Sequence, residues 1–530
     1  NVETFHRMSL QWFQINTHTP TISYMNCFLL STSCLSLLLL FLFPSRGKCQ
    51  NIYQELPKQQ DLPKVNLDVE LLLNSSHQEI PLKLADVVYL ALQNNRDLKI
   101  AYLVRIVDQK QLFETESQFN PTFGTQLSVN VNNSQTGSSI NTNTTAAASA
   151  NFNLKIPSGG NLTLTWQGQN QLSRVNSSDS YTDTNTLSQS FNFNFSQPLL
   201  RGFGKELNIL SIKRAKLTEN ANILNFKNTI GQTITNTILN YRNLLLAQEK
   251  LKIEQLSFAN AKKDLERLEA LFQFGRIAKN DLVERQSDIA QQEVNLVNTQ
   301  TSLEQAISDL TKVIDLPVTK KLIAIETPTP PTSLNLPSFD EMLELAKSNN
   351  SGYLSAINAV ENAKFSLAEA KNQQQLDLKF NVSYALNNAS NTQDTNNLSS
   401  SLILNHEFGN ASQDNAVSKS EISLQNANYS LTKTHDNLRE ELKNKIRNVQ
   451  DTFKQIKLAQ QATKLAESKV INVKEKMRLN SNNITMTDII TFEKGLVDAK
   501  NQELNATINH LNSMTQLEQF LGTTLYKWVG

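Results

Sequence analysis

In the stretch SFNFNFSQPLLRGFG (190–204), Phe191, Phe193 and Phe195 alternate with Asn192 and Asn194. A period of two puts the three rings on one face of a strand and both amides on the other. The same alternation runs through Phe123, Thr125, Leu127, Val129 and Val131. It returns in Phe152, Leu154 and Ile156 and, after Ser158-Gly159-Gly160, in Leu162, Leu164 and Trp166. Further along come Leu376, Leu378, Phe380, Val382 and Tyr384, then Leu402 and Leu404 near a weaker partner strand. A soluble sheet with its aromatics turned into a core has this pattern, and so does a barrel strand with lipid outside and water inside. Apolar and uncharged polar faces over eight or more residues favour membrane strands of roughly ten residues. The Asn/Ser/Thr-rich segments Asn132–Thr145 and Gln171–Leu187 are predicted as long external loops.

Beyond the Pro198 turn the period changes. From Leu207 to Phe274 there is one glycine, Gly231, and no proline, and Asn415 to Asn480 is equally uninterrupted. At about 1.5 Å per residue the first helix alone spans on the order of 100 Å. Ile230, Ile234, Ile238, Tyr241 and Leu245 step by three and four, the seam of a coiled coil. The other faces carry Asn, Gln, Lys and Glu, so such a helix buries little alone and needs neighbours.

The pattern occurs twice. LADVVYLALQNN (84–95) lays over FDEMLELAKSNN (339–350), matching Leu90-Ala91 to Leu345-Ala346 and Asn94-Asn95 to Asn349-Asn350. Each copy is predicted to open on a helix, Leu84 to Ser117 and Phe339 to Gln375, and to continue with strands, a very long helix, a break and a return helix. The copies occupy 83–320 and 338–530, with a Pro-rich linker at 321–337 and an N-terminal extension at 50–82. Residues 1–49 are assigned to upstream sequence and a signal peptide, since Met25–Phe43 is the only apolar run of helix length and its Leu/Phe-dense part, Cys34–Phe43, has the length of an h-region rather than of a span.

Composition narrows the class. Lys+Arg 50 against Asp+Glu 49 leaves a formal charge of +1 over 530 residues, which offers nothing to nucleic acid. All three cysteines, Cys27, Cys34 and Cys49, lie in or beside the apolar N-terminal segment, so neither a disulfide framework nor a thiolate metal site is expected. The histidines have no ligand spacing. Gly202-Phe203-Gly204 follows a strand and opens a helix, but position 207 is Leu and no βαβ unit surrounds it, so a tight corner is favoured over a dinucleotide loop. No enzyme motif, cofactor or metal is expected.

Three stretches are similar to the TolC-like outer-membrane efflux family: LADVVYLALQNNRDLKIA (84–101), SQPLLRGFGKELN (196–208) and FQFGRIAKNDLVERQSDIAQQEVNLVNTQTSLEQA (272–306). The resemblance covers about 83–320 and 337–525. It implies a mixed α and β membrane protein, in which three chains form an outer-membrane β-barrel continuous with an antiparallel coiled-coil periplasmic tunnel. Four or more strands per chain are too few to close a barrel alone, and three copies of four give twelve. It further implies a passive duct for tripartite efflux or type I secretion, with a periplasmic adaptor and an inner-membrane transporter as partners. A periplasmic coiled-coil adaptor or structural protein without a pore is the alternative.

By the same resemblance, Asp488 and Asp281 stand near the pore constriction, with Asp281 the stronger candidate for helix capping. Pro198, Gly202 and Gly204 form the barrel–tunnel corner. The helix breaks Gly275, Arg276, Ile277, Ala278 and Lys279, and Asn482, Asn483 and Ile484, are the adaptor-docking tips. A second acidic position of some family members is Thr491 here, and their polar inter-helix lock falls on Leu479 and Ile484. Closure is therefore expected to rest on packing.

Overall fold

The computed structural model describes residues 79–177, 180–315, 321–390, 393–478 and 484–529. The expected signal peptide, most of the 50–82 extension, and Leu479, Asn482 and Asn483 lie outside these.

Strand β1 (Glu79–Leu82) leads into α1 (Leu84–Asn94) and α2 (Arg96–Glu116), where one helix was expected. The break is Asn95. Its backbone is extended, its Oδ1 accepts from the Leu98 N–H at 3.0 Å, and its Nδ2 donates to the Val313 carbonyl at 2.9 Å. The same device divides α6 (Phe339–Asn349) from α7 (Ser351–Gln373). Asn350 Oδ1 accepts from the Tyr353 N–H at 2.8 Å, and Asn349 Nδ2 donates to the Leu521 carbonyl at 2.9 Å. Each copy thus uses asparagine to cap a helix start and to tie the turn to a distant helix end, Asn95 alone in the first and Asn350 with Asn349 in the second.

Four strands follow α2: β2 (Thr122–Thr136), β3 (Ser139–Lys155), β4 (Asn161–Ser177) and β5 (Ser180–Pro198). Two more follow α7: β7 (Asp377–Ala389) and β8 (Thr395–Asn405), numbered after the short β6 (Lys321–Ala324), which pairs in parallel with β1. The large sheet has the order β2-β3-β4-β5-β7-β8, with every neighbouring pair antiparallel. The strands are longer than expected because most of 132–145 and 171–187 is not loop. Asn132 pairs with Asn143 and Gln171 with Thr186, inside hairpins whose first turn holds Gly137 at φ 61°. Polar side chains erased the period-two pattern there, whereas the backbone ladder does not depend on it.

Register turns the alternation into a surface. One row across the sheet is Phe123, Phe152, Leu164, Phe193, Tyr384 and Leu398. The rows on either side bring Leu154, Leu162, Phe195 and Val382, and Ala150, Trp166, Phe191 and Leu386, to the same face. The opposite face carries Asn153, Thr163, Asn194 and Ser383 at one level and Asn151, Thr165, Asn192 and Ala385 at the next. The apolar face continues over all six strands, and the other face is amide and hydroxyl with no charge in this zone.

The helical half is built from α4 (Leu210–Gln273, 64 residues) with α5 (Lys279–Ile314), and α8 (Ala411–Arg478, 68 residues) with α9 (Met486–Phe520). The short helices α3 (Lys205–Asn208) and α10 (Thr524–Val529) precede α4 and end the chain. Of the seam, Ile234, Ile238, Tyr241 and Leu245 are buried. One core packs α1, β1 and β6 against α4 and α5 through Val87, Leu90, Leu244, Leu310 and Ile314. A second packs α6 against α8 and α9 through Met342, Leu343, Leu442, Val449 and Leu517. The long helices bury apolar residues where the short helices pack on them and again toward the hairpin ends, at Leu268, Val473 and Ile489. Elsewhere much of their surface is polar.

Candidate pore entrance and hairpin tips

The sheet meets the helices at a rigid corner. Pro198 closes β5, and Gly202 and Gly204 turn the chain at φ 84° and 110°, where a side chain is strained. Asn208 Nδ2 donates to both the Gly202 and Gly204 carbonyls at 2.9 Å, and the Gly204 N–H donates to Ser158 O at 3.1 Å. The Gly202 N–H donates to Asn372 Oδ1 at 2.8 Å, and Arg201 pairs with Asp377 at the start of β7. A Cβ on Gly159 would stand 2.2 Å from the Gly202 carbonyl oxygen, so two glycine turns are pressed together here. The motif 196–208 thus ties the β3–β4 turn, α7 and β7 to one point.

At the far end, the first tip is a glycine turn. Gly275 (φ 67°) sends its N–H to Phe272 O at 2.9 Å, and the Arg276 N–H reaches Leu271 O at 2.9 Å. Arg276, Ile277 and Ala278 cross to α5, which Lys279 begins. The N-cap is Ala278, without a side-chain cap, and Asp281 lies in the first turn, where a carboxylate favours the helix dipole. Asp281 is therefore not the cap.

Asp488, unlike Asp281, takes part in the cap of its helix, whose N-cap residue is Thr485. Thr485 and Asp488 form a reciprocal box: the Asp488 N–H donates to Thr485 Oγ1 at 3.2 Å, and the Thr485 N–H donates to Asp488 Oδ2 at 2.9 Å. Thr485 Oγ1–H adds a bond to Oδ2 at 2.7 Å. These donors hold the Asp488 carboxyl below its ordinary range. The first turns of α5 and α9 lie side by side, joined by Thr487 Oγ1–H donating to Glu284 Oε2 at 2.6 Å.

Sequence reasoning missed the strongest feature of this end. Arg285, 1% exposed, lies among all four long helices. It reaches Asp264 of α4 at 3.3 Å, Asp288 of α5 at 3.0 Å and Glu493 of α9 at 2.8 Å. Lys474 of α8 joins Glu493 at 2.6 Å and Asp264 at 3.5 Å. The carboxylates raise the Arg285 pKa against the opposing effect of burial. Packing is thus not alone in holding the hairpins together: an ion cluster does so within one chain. The available signal was Arg285 standing between Leu282 and Ile289 in the apolar stripe of α5, where a charge must be paired.

No protein-family model matches the chain, and no curated protein matches it. Solved structures do. CusC aligns at 15% identity and TM-score 0.62, over 83% of this chain and 91% of its own. The CmeC outer membrane channel of Campylobacter jejuni gives 16% and 0.60, over 83% and 86%. The Neisseria gonorrhoeae MtrE outer membrane channel in its open state gives 15% and 0.58, over 83% and 89%. The chain has the fold of these outer-membrane channels, and at the level of fold the TolC-like resemblance holds.

Proposed function

We propose that this protein is a passive outer-membrane exit duct that catalyses no reaction. Three copies form a pore through lipid and extend into the periplasm. A periplasmic adaptor joins them to an inner-membrane pump of a tripartite efflux or type I secretion system, and the pump supplies the energy. Within each chain, two tandem helix–strand–hairpin repeats build one sector. Asp488 and Asp281 stand at the entrance, and the tips at 275–279 and 482–484 meet the adaptor.

One observation carries this reading. A sheet whose central rows are apolar on one face and uncharged polar on the other is fixed by a rigid corner to helices of 64 and 68 residues. Charges stand only toward the strand ends, with Lys155, Asp377 and Lys379 on the polar face and Arg174 and Asp183 on the apolar face. Lipid on one face and water on the other account for the sheet, and a periplasmic span of on the order of 100 Å accounts for the helices. The likeness in fold to the outer membrane channels CmeC and MtrE supports it. The test is mass in detergent together with conductance in a planar bilayer. Trimers with stepwise conductance are expected; a monomeric, non-conducting protein recovered from the periplasm is instead the coiled-coil adaptor without a pore.

A further inference from the structure

The two halves of the chain contribute unequally to the wall. Between α7 and α8 there are two strands; between α2 and α3 there are four. The hairpin β3–β4 is therefore an addition without a counterpart in the second half. It is not an appendage, because β3 pairs with β2 over the whole of that strand, and β4 pairs with β5 from Asn161 to Ser177.

We propose that β8 of one chain pairs with β2 of the next and that the closed wall has eighteen strands, the β3–β4 hairpins being part of it. This rests on the trimeric duct proposed above. Among the described residues β2 pairs only with β3, and β8 only with β7, so the sheet has two open edges. Both display apolar side chains on the face shared with the aromatic rows: Leu127 is 83% exposed and Leu398 71%. A long, exposed apolar edge is a template for another strand. Five antiparallel steps separate the edges, so β2 and β8 run in opposite directions and a β8–β2 contact continues the antiparallel ladder. Two different edges joined head to tail generate a ring.

The slant of the sheet agrees with closure. Measured from the row Phe123 to Leu398, the helix-side end of β2 is Thr122, one residue away, and that of β8 is Asn405, seven residues away. These ends therefore drift by six residues in five strand-to-strand steps. With about 3.3 Å per residue and about 4.8 Å between strands, that is a tilt of roughly 40°, within the roughly 35–45° of membrane barrels. At this tilt eighteen strands enclose a backbone circle about 36 Å across, against about 24 Å for twelve. After side chains, the lumen is about 25 Å rather than about 14 Å wide. An α-helix about 10–12 Å across passes either, but a two-helix hairpin passes only the wider. In the wider barrel the exit does not select cargo by size, and selection falls to the periplasmic end.

Face parity restricts the contact. Apolar residues share one face only if Leu127 of one chain stands opposite an even-numbered residue of β8 in the next, since a one-residue slip turns every side chain over. Carrying the slant across the contact places Ser400 or Leu402 there. The test replaces the three native cysteines by serine and introduces Leu127→Cys with Leu402→Cys, and separately Leu127→Cys with Ser400→Cys. Opposed residues of an antiparallel pair lie within disulfide range. One of these pairs is expected to give covalent trimers on oxidation, at least tenfold more than Leu127→Cys with Ile403→Cys. The unmodified channel is probed alongside with neutral polymers of graded size added to the barrel side of a bilayer, with exclusion expected near about 25 Å. Exclusion near about 14 Å by a conducting trimer overturns the eighteen-strand wall and leaves the duct standing. Cross-linking no better than with Ile403→Cys overturns the β8–β2 contact. A protein without trimers or conductance overturns the duct reading itself.

Discussion

The sheet and the hairpin ends solve opposite problems with different chemistry. Across the sheet, polar identity is nearly interchangeable: Asn151, Thr165, Asn192 and Ala385 occupy one level of the same face. Alternation alone decides where each side chain points. At the far end of the helices single residues are decisive, because Arg285 holds Asp264, Asp288 and Glu493 from three helices. A sheet with one apolar and one polar face is specified by pattern. A junction of four helices is specified by individual partners.

Replacing Arg285 by Ala should show the largest effect. It leaves Asp264, Asp288 and Glu493 with only the more exposed Lys474 and Arg267 as cations, and breaking a buried pair from one side costs about 3–5 kcal/mol. Thermal unfolding and amide exchange in α5 and α9 are expected to report that loss near the tips. Asn192→Ser on the sheet should stay within about 0.5 kcal/mol. Equal losses from both would erase the contrast between the two regions.

Next in size is a test of which face meets lipid. Phe193→Lys should destabilise the folded protein by about 2–4 kcal/mol in a bilayer, as a charge on the lipid face of a barrel does. Its neighbour Asn194→Lys should change stability little, because the lysine enters water. Folding titrations into lipid vesicles measure both. If Asn194→Lys were the damaging change, the aromatic face would line the interior.

Most of this was legible in the sequence, for identifiable reasons. Period-two aromatics and glycine-poor runs depend only on local pattern, so strands, long helices and the seam at Ile234, Ile238 and Tyr241 came through. The helix division at Asn95 and Asn350 shows in the sequence only as a repeated pair of asparagines, since a single capping residue leaves the periodicity on either side intact. The strand segments within 132–145 and 171–187 carry no strand signal in the sequence, because Asn, Ser and Thr have no face preference. The Arg285 cluster needs partners from 21 and 208 residues away, and no local pattern announces those.

A smaller effect on stability, with a large one on transport, is expected at the first tip. Gly275→Ala forces a side chain to φ 67°, a strain of about 1–2 kcal/mol confined to the turn. The turn is open, so a Cβ there meets no atom within 4 Å. Arg276→Glu should leave fold and trimers intact and abolish transport, because the tip displays this cation to the proposed adaptor. Export assays with quantified membrane trimers separate the two, and undiminished export by Arg276→Glu would remove the tip from the docking surface.

The smallest stability effect, and the finest distinction, belongs to Asp488. In a single chain the Thr485 donors lower its pKa. A carboxyl held lower when folded than unfolded stabilises the fold above the unfolded value of about 3.9 and loses that contribution as pH falls through the folded value. Three such carboxylates crowded about an axis would repel, and the pKa would rise instead. The two settings therefore predict opposite responses between pH 5 and pH 3. As a cap alone, Asp488 keeps its charge through most of this range, and channel selectivity stays flat. As a ring, it gains protons early, and cation preference and block by divalent ions fade together. Asp281, in the first turn of α5 but outside any capping box, supplies the reference. Single-channel currents of Asp488→Asn and Asp281→Asn across this range should show lost cation preference in the first and nearly unchanged currents in the second. Identical selectivity in Asp488→Asn and the unmodified channel would reduce Asp488 to the cap of its helix.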